Sequence, residues 1–367
     1  MAEAFKETLA LPNIKRLADA IQNSYASFDS VSYLHVLENQ SWHELSLMER
    51  LRAASDALVE QLPADKGPEL LVAVLQSHEQ LSGWLSLICC EYIVRCEIPD
   101  VAEALDYLSQ MTEYFSAEFA IRPLIKKDVE TCLAVLRSWT QHDNYHVRRL
   151  VSEGTRPRLP WGIRLHEFIE APELVLPLLE SLRDDPEEYV RRSVANHLND
   201  LAKDHPQLII DVASQWLNNV PAALLINRKK LVRHACRTLL KQGNPQALAL
   251  FGYLAVDDVH CELMIKNDCI EWQSDLEFEL QVRNNAASDN KLMIDYQLHF
   301  MKANGKLSPK VFKWLDRIEK GNNQSSFVKN HSFRTVTTRK HYPGLHRLEV
   351  YVNGIKKAQT EFELLAE

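Results

Sequence analysis

Arginines recur in the middle of this chain at a spacing that suits a phosphate-rich ligand. Val147-Arg148-Arg149 is followed by Val190-Arg191-Arg192 and by Val232-Arg233-His234, and the valines lie 43 and 42 residues apart. A period of about 40–47 residues is typical of HEAT-type helical pairs, whose stacking places equivalent residues in a row. Because the planar guanidinium of arginine matches phosphate oxygens, the repeat predicts a row of phosphate-binding side chains.

Two carboxylates could add acid–base chemistry to such a row. Asp200 lies two turns beyond Arg192 on a predicted helix, at the edge of a polar arc that ends at Lys203. The same arc is also explained as a solvated helix face. Glu118 lies four residues before Arg122, so an i,i+4 ion pair is a simpler account of it than a catalytic role. From the residues alone, both interpretations stay open.

An unusual connector follows the first arginine pair. Residues 153–162 contain two prolines, two glycines, two arginines (Arg156 and Arg158) and Trp161. The indole either closes the repeat as a hydrophobic plug or presents an aromatic surface to a sugar or a cation.

Helices must position these residues. Residues 1–254 contain only six glycines, and their apolar residues recur at intervals of three and four, which predicts helices. Each copy of the motif is expected to open a helix after an apolar helix and a turn. The preceding helices are predicted at Val129–Thr140, Glu173–Leu182 and Gln207–Leu217.

The second motif helix has a well-marked predicted start. Asp185 is a suitable N-cap, Pro186 fits the first helical position, and Glu188 completes a capping box. These three residues predict that the helix begins immediately after Asp185.

The pattern changes after about Asp257 to short alternating runs that predict strands. The runs are Leu263–Lys266, Leu276–Arg283, Ile294–Met301 and Leu348–Val352. Asn353-Gly354 after the last run predicts a tight hairpin turn. The sequence therefore predicts an α-helical HEAT-like repeat solenoid over residues 1–254, followed by an all-β sandwich over residues 257–367.

Charge is unevenly distributed along the chain, whose net charge is −8. Residues 1–121 carry 7 basic and 19 acidic side chains, whereas Lys291–Lys357 carries 14 basic and four acidic ones. This asymmetry fits one polyanion-facing side, and it also fits a solvated surface of mixed charge. Charge alone thus leaves DNA binding open.

Several classes of protein find no support in the sequence. The seven cysteines form no Cys-x-x-Cys pair, which indicates a reducing cytoplasm rather than a disulfide framework. The chain's first residues show no secretory signal, and no apolar stretch is long enough to span a membrane. His142 and His146 lack further metal ligands nearby, and phosphate-loop, dinucleotide and serine-hydrolase motifs are absent from the sequence.

Four segments together resemble the AlkC-type alkylpurine DNA glycosylases, relatives of the AlkD HEAT-repeat glycosylases. The most specific runs from Glu153 to Gly162 and contains the string Arg156-Pro157-Arg158-Leu159-Pro160-Trp161-Gly162. The others are Ala117-Glu118-Phe119-Ala120-Ile121-Arg122-Pro123, His146-Val147-Arg148-Arg149-Leu150 and the run from Tyr189 to Asp200. The resemblance covers about 250 residues, and the immunoglobulin-like sandwich of that family extends it to nearly the whole chain.

This resemblance implies a monofunctional glycosylase of base excision repair. Such an enzyme hydrolyses the N-glycosidic bond of 3-methyladenine and 3-methylcytosine in duplex DNA without flipping the base. It implies that Glu118 and Asp200 are the catalytic carboxylates and that Trp161 contacts the sugar of the lesion. Further implied contacts to the DNA backbone are Arg148, Arg149, Arg156, Arg158 and Arg192.

The resemblance implies alkylated double-stranded DNA as the partner of a monomer, with no cofactor, metal, membrane or obligate protein partner. The alternative function is a non-catalytic helical-repeat scaffold that binds DNA or a protein in its groove, because repeat folds host both classes. A scaffold has no need for two carboxylates beside arginines that bind phosphate, so the combination of Glu118, Trp161 and Asp200 favours the enzyme.

Overall fold

The computed structural model describes residues 5–335 and 340–366. Residues 1–4, which belong to the segment predicted to lack a secretory signal, lie outside that part. Helices fill the first two thirds of the described chain. The first eight are α1 (Leu11–Ser24), α2 (Ser30–Glu38), α3 (Leu47–Gln61), α4 (Gly67–Ser77), α5 (Trp84–Arg95), α6 (Val101–Met111), α7 (Ile121–Lys127) and α8 (Val129–Trp139). The others are α9 (Tyr145–Gly154), α10 (His166–Glu170), α11 (Leu176–Leu182), α12 (Glu188–Leu201), α13 (Pro206–Leu217), α14 (Leu225–Ala235), α15 (Arg237–Lys241) and α16 (Pro245–Ala249).

The three copies of the motif lie on α9, α12 and α14, and each of these helices packs on the next. The first two copies open their helices as predicted. The third does not, since α14 begins at Leu225 and Val232 falls in its last two turns. The expectation of three helix-opening copies is therefore wrong for the third. The equal spacing of the valines conceals this shift because it carries no information about where a helix starts.

The start of α12 also differs from the predicted capping box. Its N-cap is Glu187, whose side chain makes no capping hydrogen bond. Asp185 instead accepts a hydrogen bond from the backbone N–H of Glu187 and faces the guanidinium of Arg148. The carboxylate of Asp185, which the local pattern predicted to cap the helix, thus forms a long-range ion pair with Arg148 instead.

In the described part of the chain, eight strands follow the helices. They are β1 (Val259–Ile265), β2 (Cys269–Ile270), β3 (Asp275–Asn284), β4 (Asn290–Met301), β5 (Leu307–Glu319), β6 (Asn323–Ser332), β7 (Gly344–Val352) and β8 (Ile355–Leu364). They form a sheet with the order β1-β3-β6 and a second sheet with the order β2-β8-β7-β4-β5. The pairings are antiparallel except for the parallel pair β2-β8.

Alternating side chains of both sheets make the apolar core of the sandwich, as period-two strands require. Phe278, Tyr296 and Val350 are among its buried members. The predicted turn at Asn353-Gly354 joins β7 to β8, and both residues have positive φ angles, 48° and 80°. That combination is the one an Asn-Gly turn of type I′ requires.

The described chain groups into two compact units. One comprises Met1–His205 with Asn219–Ala235, and the other comprises Pro206–Asn218 with Cys236–Glu367. The second unit therefore includes α13, α15 and α16 together with the sandwich. None of the helices in residues 5–335 and 340–366 combines the length and apolarity that a bilayer crossing requires.

Polar contacts fasten the segment before β1 to the sandwich. The side chain of Asn353 donates to the carbonyl of Leu254, and that of Lys357 donates to the carbonyl of Val256. A side-chain carbon at Gly354 would lie 2.5 Å from the carbonyl oxygen of Gly243, so glycine permits this close approach.

Candidate active site

Glu118 lies just before α7 and faces the first turns of α9. Its Oε2 accepts hydrogen bonds from Arg149 Nη1 at 2.5 Å and from Ser116 Oγ at 2.8 Å. Arg149 also donates to Ser116 at 2.7 Å, so the three side chains form a closed triangle. The predicted i,i+4 ion pair with Arg122 is not made. Glu118 is therefore oriented by a residue 31 positions away in the chain.

Glu153, one turn after Arg149 on α9, extends this triangle into a buried chain of ion pairs. Its Oε1 lies 3.5 Å from Arg149 Nη2 and 2.6 Å from Arg156 Nη1. Its Oε2 accepts a hydrogen bond from Ser193 Oγ at 2.7 Å. The carboxylate thus bridges the two arginines.

Asp200 lies at the far end of that chain. Arg156 approaches its Oδ2 with Nε at 2.9 Å and Nη2 at 2.8 Å, and Lys203 approaches Oδ1 at 3.1 Å. Its side chain is only 3% exposed, so Asp200 does not belong to a solvated polar arc. Alternating charges therefore connect Glu118 to Asp200 through Arg149, Glu153 and Arg156.

The alternation keeps the inner members of this chain charged although they are buried. Burial alone would raise the pKa of Glu153, but Arg149, Arg156 and the hydrogen bond from Ser193 lower it below its ordinary value. Burial likewise opposes the charged form of Arg156, whereas Glu153 and Asp200 raise its pKa. A buried charge is tolerated only when it is paired and hydrogen-bonded, and each of these groups meets that condition.

Arg122 holds the connector after α9 in place. Its buried guanidinium donates to the backbone carbonyls of Gly154 at 2.9 Å, Arg156 at 2.7 Å and Ile163 at 2.7 Å. Burial, followed by the charge of Arg156, lowers the pKa of Arg122 to about 10. The residue therefore fixes both ends of the connector that carries Arg156 and Trp161.

Trp161 occupies a left-handed backbone conformation, with a φ angle of 64°. Its side chain is 57% exposed, so Trp161 is not a hydrophobic plug, which was one of the two interpretations that the sequence allowed. Its ring lies beside those of Trp84 and Phe5, with centroids 6.1 Å and 6.2 Å away.

A pocket of about 210 Å³ brings these groups to one surface. Glu118, Glu153 and Arg156 line its polar side. Its other walls are Trp84, Phe115, Phe119, Leu159, Pro160 and Trp161. The pocket thus places an exposed indole and two carboxylates, Glu118 and Glu153, around one small volume, while Asp200 is joined to it through Arg156.

The two arginines of each helix-opening motif have different environments. The first of each pair caps the turn before its own helix. Arg148 donates to the carbonyls of His142 and Asp143 and pairs with Asp185 at 2.6 Å. Arg191 donates to the carbonyls of Asp185 and Pro186.

The second arginine of each pair turns to the next motif helix. Arg149 lies 4.9 Å from the ring centroid of Tyr189 on α12. Arg192 is exposed and lines a pocket of about 280 Å³ between α12 and α14, together with Lys230 and His234. Arg192 is thus the exposed arginine of the two motifs.

Arg158, the second arginine of the connector, forms a bidentate pair with Asp204 at 2.8–3.1 Å. Among the described residues, no group of three or more His, Cys, Asp and Glu side chains is arranged to hold a metal ion. His142 serves instead as a local acceptor, its Nδ1 facing the backbone N–H of Asn144 at 3.0 Å. All seven cysteines are free thiols.

Sequence reasoning did not single out Glu153, Arg122 or Trp84. The first had a detectable signal, since Glu153 follows Arg149 by four residues on a predicted helix and shares its face. Arg122 was considered only as a partner for Glu118. Trp84 gave no local signal, because its neighbour Trp161 is 77 positions away in the chain.

Two family matches cover different parts of the chain. Residues 87–219 match a family described as DNA alkylation repair enzyme. Residues 260–366 match the C-terminal Ig-like domain of the family of the uncharacterised protein YhaZ. The sandwich is therefore immunoglobulin-like, as predicted.

Two full-length comparisons extend these matches. The chain is 37% identical over 365 residues to the uncharacterized protein YhaZ of Bacillus subtilis (strain 168), covering 99% of both chains. It is 36% identical, with a TM-score of 0.91 and 99% coverage of both chains, to the alkylpurine DNA glycosylase AlkC of Pseudomonas fluorescens. That structure was determined with DNA containing an abasic site analog.

Proposed function

Because this chain belongs to the AlkC-type family of alkylpurine DNA glycosylases, we propose that it releases cationic N3-alkylated bases from duplex DNA. Its substrates are 3-methyladenine and 3-methylcytosine. The product is an abasic site for base excision repair, and the lesion is not flipped into a pocket.

One observation carries this proposal. Glu118 and Asp200, 82 positions apart, are joined by a single chain of buried ion pairs, and Glu118 shares a pocket with Trp161. The DNA affinity of a binding scaffold gains nothing from carboxylates buried behind its cationic residues, since they weaken its attraction to DNA. An enzyme that must stabilise positive charge on a sugar does gain from them.

The chemistry suits these side chains. An N3-alkylated base carries a positive charge, so the C1′–N bond can break with its electron pair moving to the base, which leaves neutral. Positive charge then develops on the deoxyribose, as in other glycosidic bond cleavages. A carboxylate beside C1′ stabilises that charge and takes the proton of the water that adds to C1′.

We assign these roles to Glu118 and Asp200, with Trp161 offering its indole face to the sugar. An aromatic face attracts a neighbouring cation by about 0.5–2 kcal/mol. In this scheme Arg149 orients Glu118 and Arg156 orients Asp200. Both arginines lie near the DNA because the carboxylates that they hold act on it. The pairing keeps both carboxylates in one geometry before the substrate arrives.

In this proposal, Arg192 makes the main contact with the phosphates of the DNA backbone. Its guanidinium is exposed and available to a phosphodiester. Lys230 and His234 line the same pocket, where Lys230 is paired with Glu188 at 2.7 Å. Arg148 and Arg158 are engaged in ion pairs within the fold, so they contribute less. The basic stretch Lys291–Lys357 of the sandwich adds a second hold, although its residues 336–339 lie outside the described part.

A base-release assay tests the proposal directly. Purified protein is incubated with methylated duplex DNA in the presence of a chelator, and the free bases are separated and quantified. We expect 3-methyladenine to be released without added metal. A protein that binds the same duplex but releases no alkylated base would be the non-catalytic scaffold instead.

A further inference from the structure

Trp161 combines an uncommon backbone conformation with an exposed side chain. Its φ angle of 64° lies in the left-handed region, which bulky side chains rarely adopt, and its side chain is 57% exposed. Such a conformation persists only where the surrounding structure determines it, and residues of this kind gather at ligand-binding sites. An exposed indole on a connector must therefore be held by specific neighbours.

Trp84 is the central neighbour. Its ring centroid lies 6.1 Å from that of Trp161 at an interplanar angle of 48°. It also contacts Phe5 at 6.1 Å and Phe115 at 5.6 Å, so it connects all the rings of this cluster. Offset and tilted ring pairs at these distances are attractive.

The position of Trp84 is itself fixed by the backbone. It is the first residue of α5 and follows Gly83, whose φ angle is 84°. The N–H of Gly83 donates to the carbonyl of Tyr114 at 2.8 Å. The helix start is thus attached to the segment that leads to Ser116 and Glu118, the acidic end of the ion-pair chain.

We propose that Trp84 is a positioning residue, which holds the indole of Trp161 in the orientation that meets the lesion. This rests on the proposed function, because it requires Trp161 to contact the nucleotide. Arg122 fixes the backbone of the connector, and Trp84 fixes the ring that the connector carries. The two constraints together restrict how the indole can turn in the free protein.

Because Trp84 acts through Trp161, its effect depends on the presence of that ring. We expect Trp84→Ala to slow single-turnover base release by about 10- to 100-fold, the scale of a small misplacement of a contacting group. Trp84→Phe retains a ring and restores most of the rate. Non-specific DNA affinity stays unchanged in both variants, since neither alters a phosphate contact.

A double-mutant cycle makes the test decisive. Trp161→Ala slows base release, and Trp84→Ala added to it slows the reaction no further. Additive losses in the double variant would overturn the positioning role. So would a Trp84→Phe variant as slow as Trp84→Ala, or a Trp84→Ala variant with the wild-type rate.

Phe5→Ala provides a second variant if Trp84→Ala fails to fold, because it removes the other ring contact of Trp161 from an exposed position. We expect a smaller slowing that also disappears in the Trp161→Ala background. Failure of the proposed function is distinguished by the wild-type protein, which would then release no base. An active wild type whose Trp161→Ala variant keeps full rate would overturn the positioning role alone.

Discussion

Arg156 and Asp200 form a two-point ion pair, with Nε and Nη2 of the arginine 2.9 Å and 2.8 Å from one carboxylate oxygen. The pair joins the connector after α9 to the last turn of α12. Since Asp200 is 3% exposed, this contact and the one from Lys203 decide where its carboxylate points. The pair with Arg156 also leaves Asp200 dependent on a residue that Glu153 and Arg122 hold in place.

Replacing Asp200 separates catalysis from binding. Asp200→Asn keeps an oxygen that can accept from Arg156 but removes the negative charge. We expect release of 3-methyladenine to fall by at least about 100-fold, the scale on which removal of a stabilising group acts. Affinity for a duplex with an abasic analogue remains near the wild-type value, as measured by fluorescence anisotropy. Equal losses of binding and base release would instead give Asp200 a structural role.

Glu153 gives the fold a dependence on pH. Its pKa in the folded protein is lowered, despite burial, by Arg149, Arg156 and Ser193, so its contribution to stability is complete above its unfolded pKa. That contribution is lost as the pH falls through the lower, folded pKa. We expect Glu153→Gln to reduce the free energy of unfolding by about 3 kcal/mol at neutral pH, as for a broken buried pair.

Urea unfolding of both proteins across a pH series checks this expectation. The difference between them should shrink as the pH drops below about 4, because the unfolded chain then takes up a proton at Glu153 before the folded protein does. Glu277→Gln is a suitable control, because its ion pair with Lys266 is exposed. A difference that stays constant down to acid pH would contradict the assigned pKa direction.

The left-handed backbone of Trp161 makes a prediction about stability. Alanine in that conformation is disfavoured by about 1 kcal/mol, whereas glycine adopts it freely. We therefore expect Trp161→Gly to be more stable than Trp161→Ala in denaturant unfolding. At Lys229, an exposed position inside α14, the order should be reversed, because alanine is the better helix former. Alanine more stable at both positions would mean that residue 161 carries no strain.

Local patterns were sufficient to predict much of the fold. Period-three-and-four runs predicted the helices of the motif region, alternating runs predicted β3, β4 and β7, and Asn353-Gly354 predicted the β7–β8 turn. Each of these depends on contacts between near neighbours in sequence.

The site depends instead on long-range pairs, which local patterns do not encode. Helix periodicity placed Asp200 at the edge of a polar arc, yet its carboxylate is buried in an ion pair with Arg156, which is 44 positions away in the chain. The sequence around Asp185 has the pattern of a helix cap, but its carboxylate pairs with Arg148, which is 37 positions away. Residue types thus predicted which side chains matter, while their partners required the folded chain.

The different environments of Arg192 and Arg148 yield a matched pair of variants for DNA binding. A protein that loses one phosphate contact releases about one counterion fewer, so its log Kd against log salt plot becomes shallower by about 1. We expect that change for Arg192→Ala, whose guanidinium is exposed. Arg148→Ala should leave the slope unchanged and lower the denaturant midpoint, because it loses Asp185 and two backbone carbonyls. Anisotropy titrations of an abasic-analogue duplex at several salt concentrations provide the measurement. If a stably folded Arg148→Ala variant had the shallower slope and Arg192→Ala kept the wild-type slope, the phosphate contacts would be made by the first arginine of each motif instead.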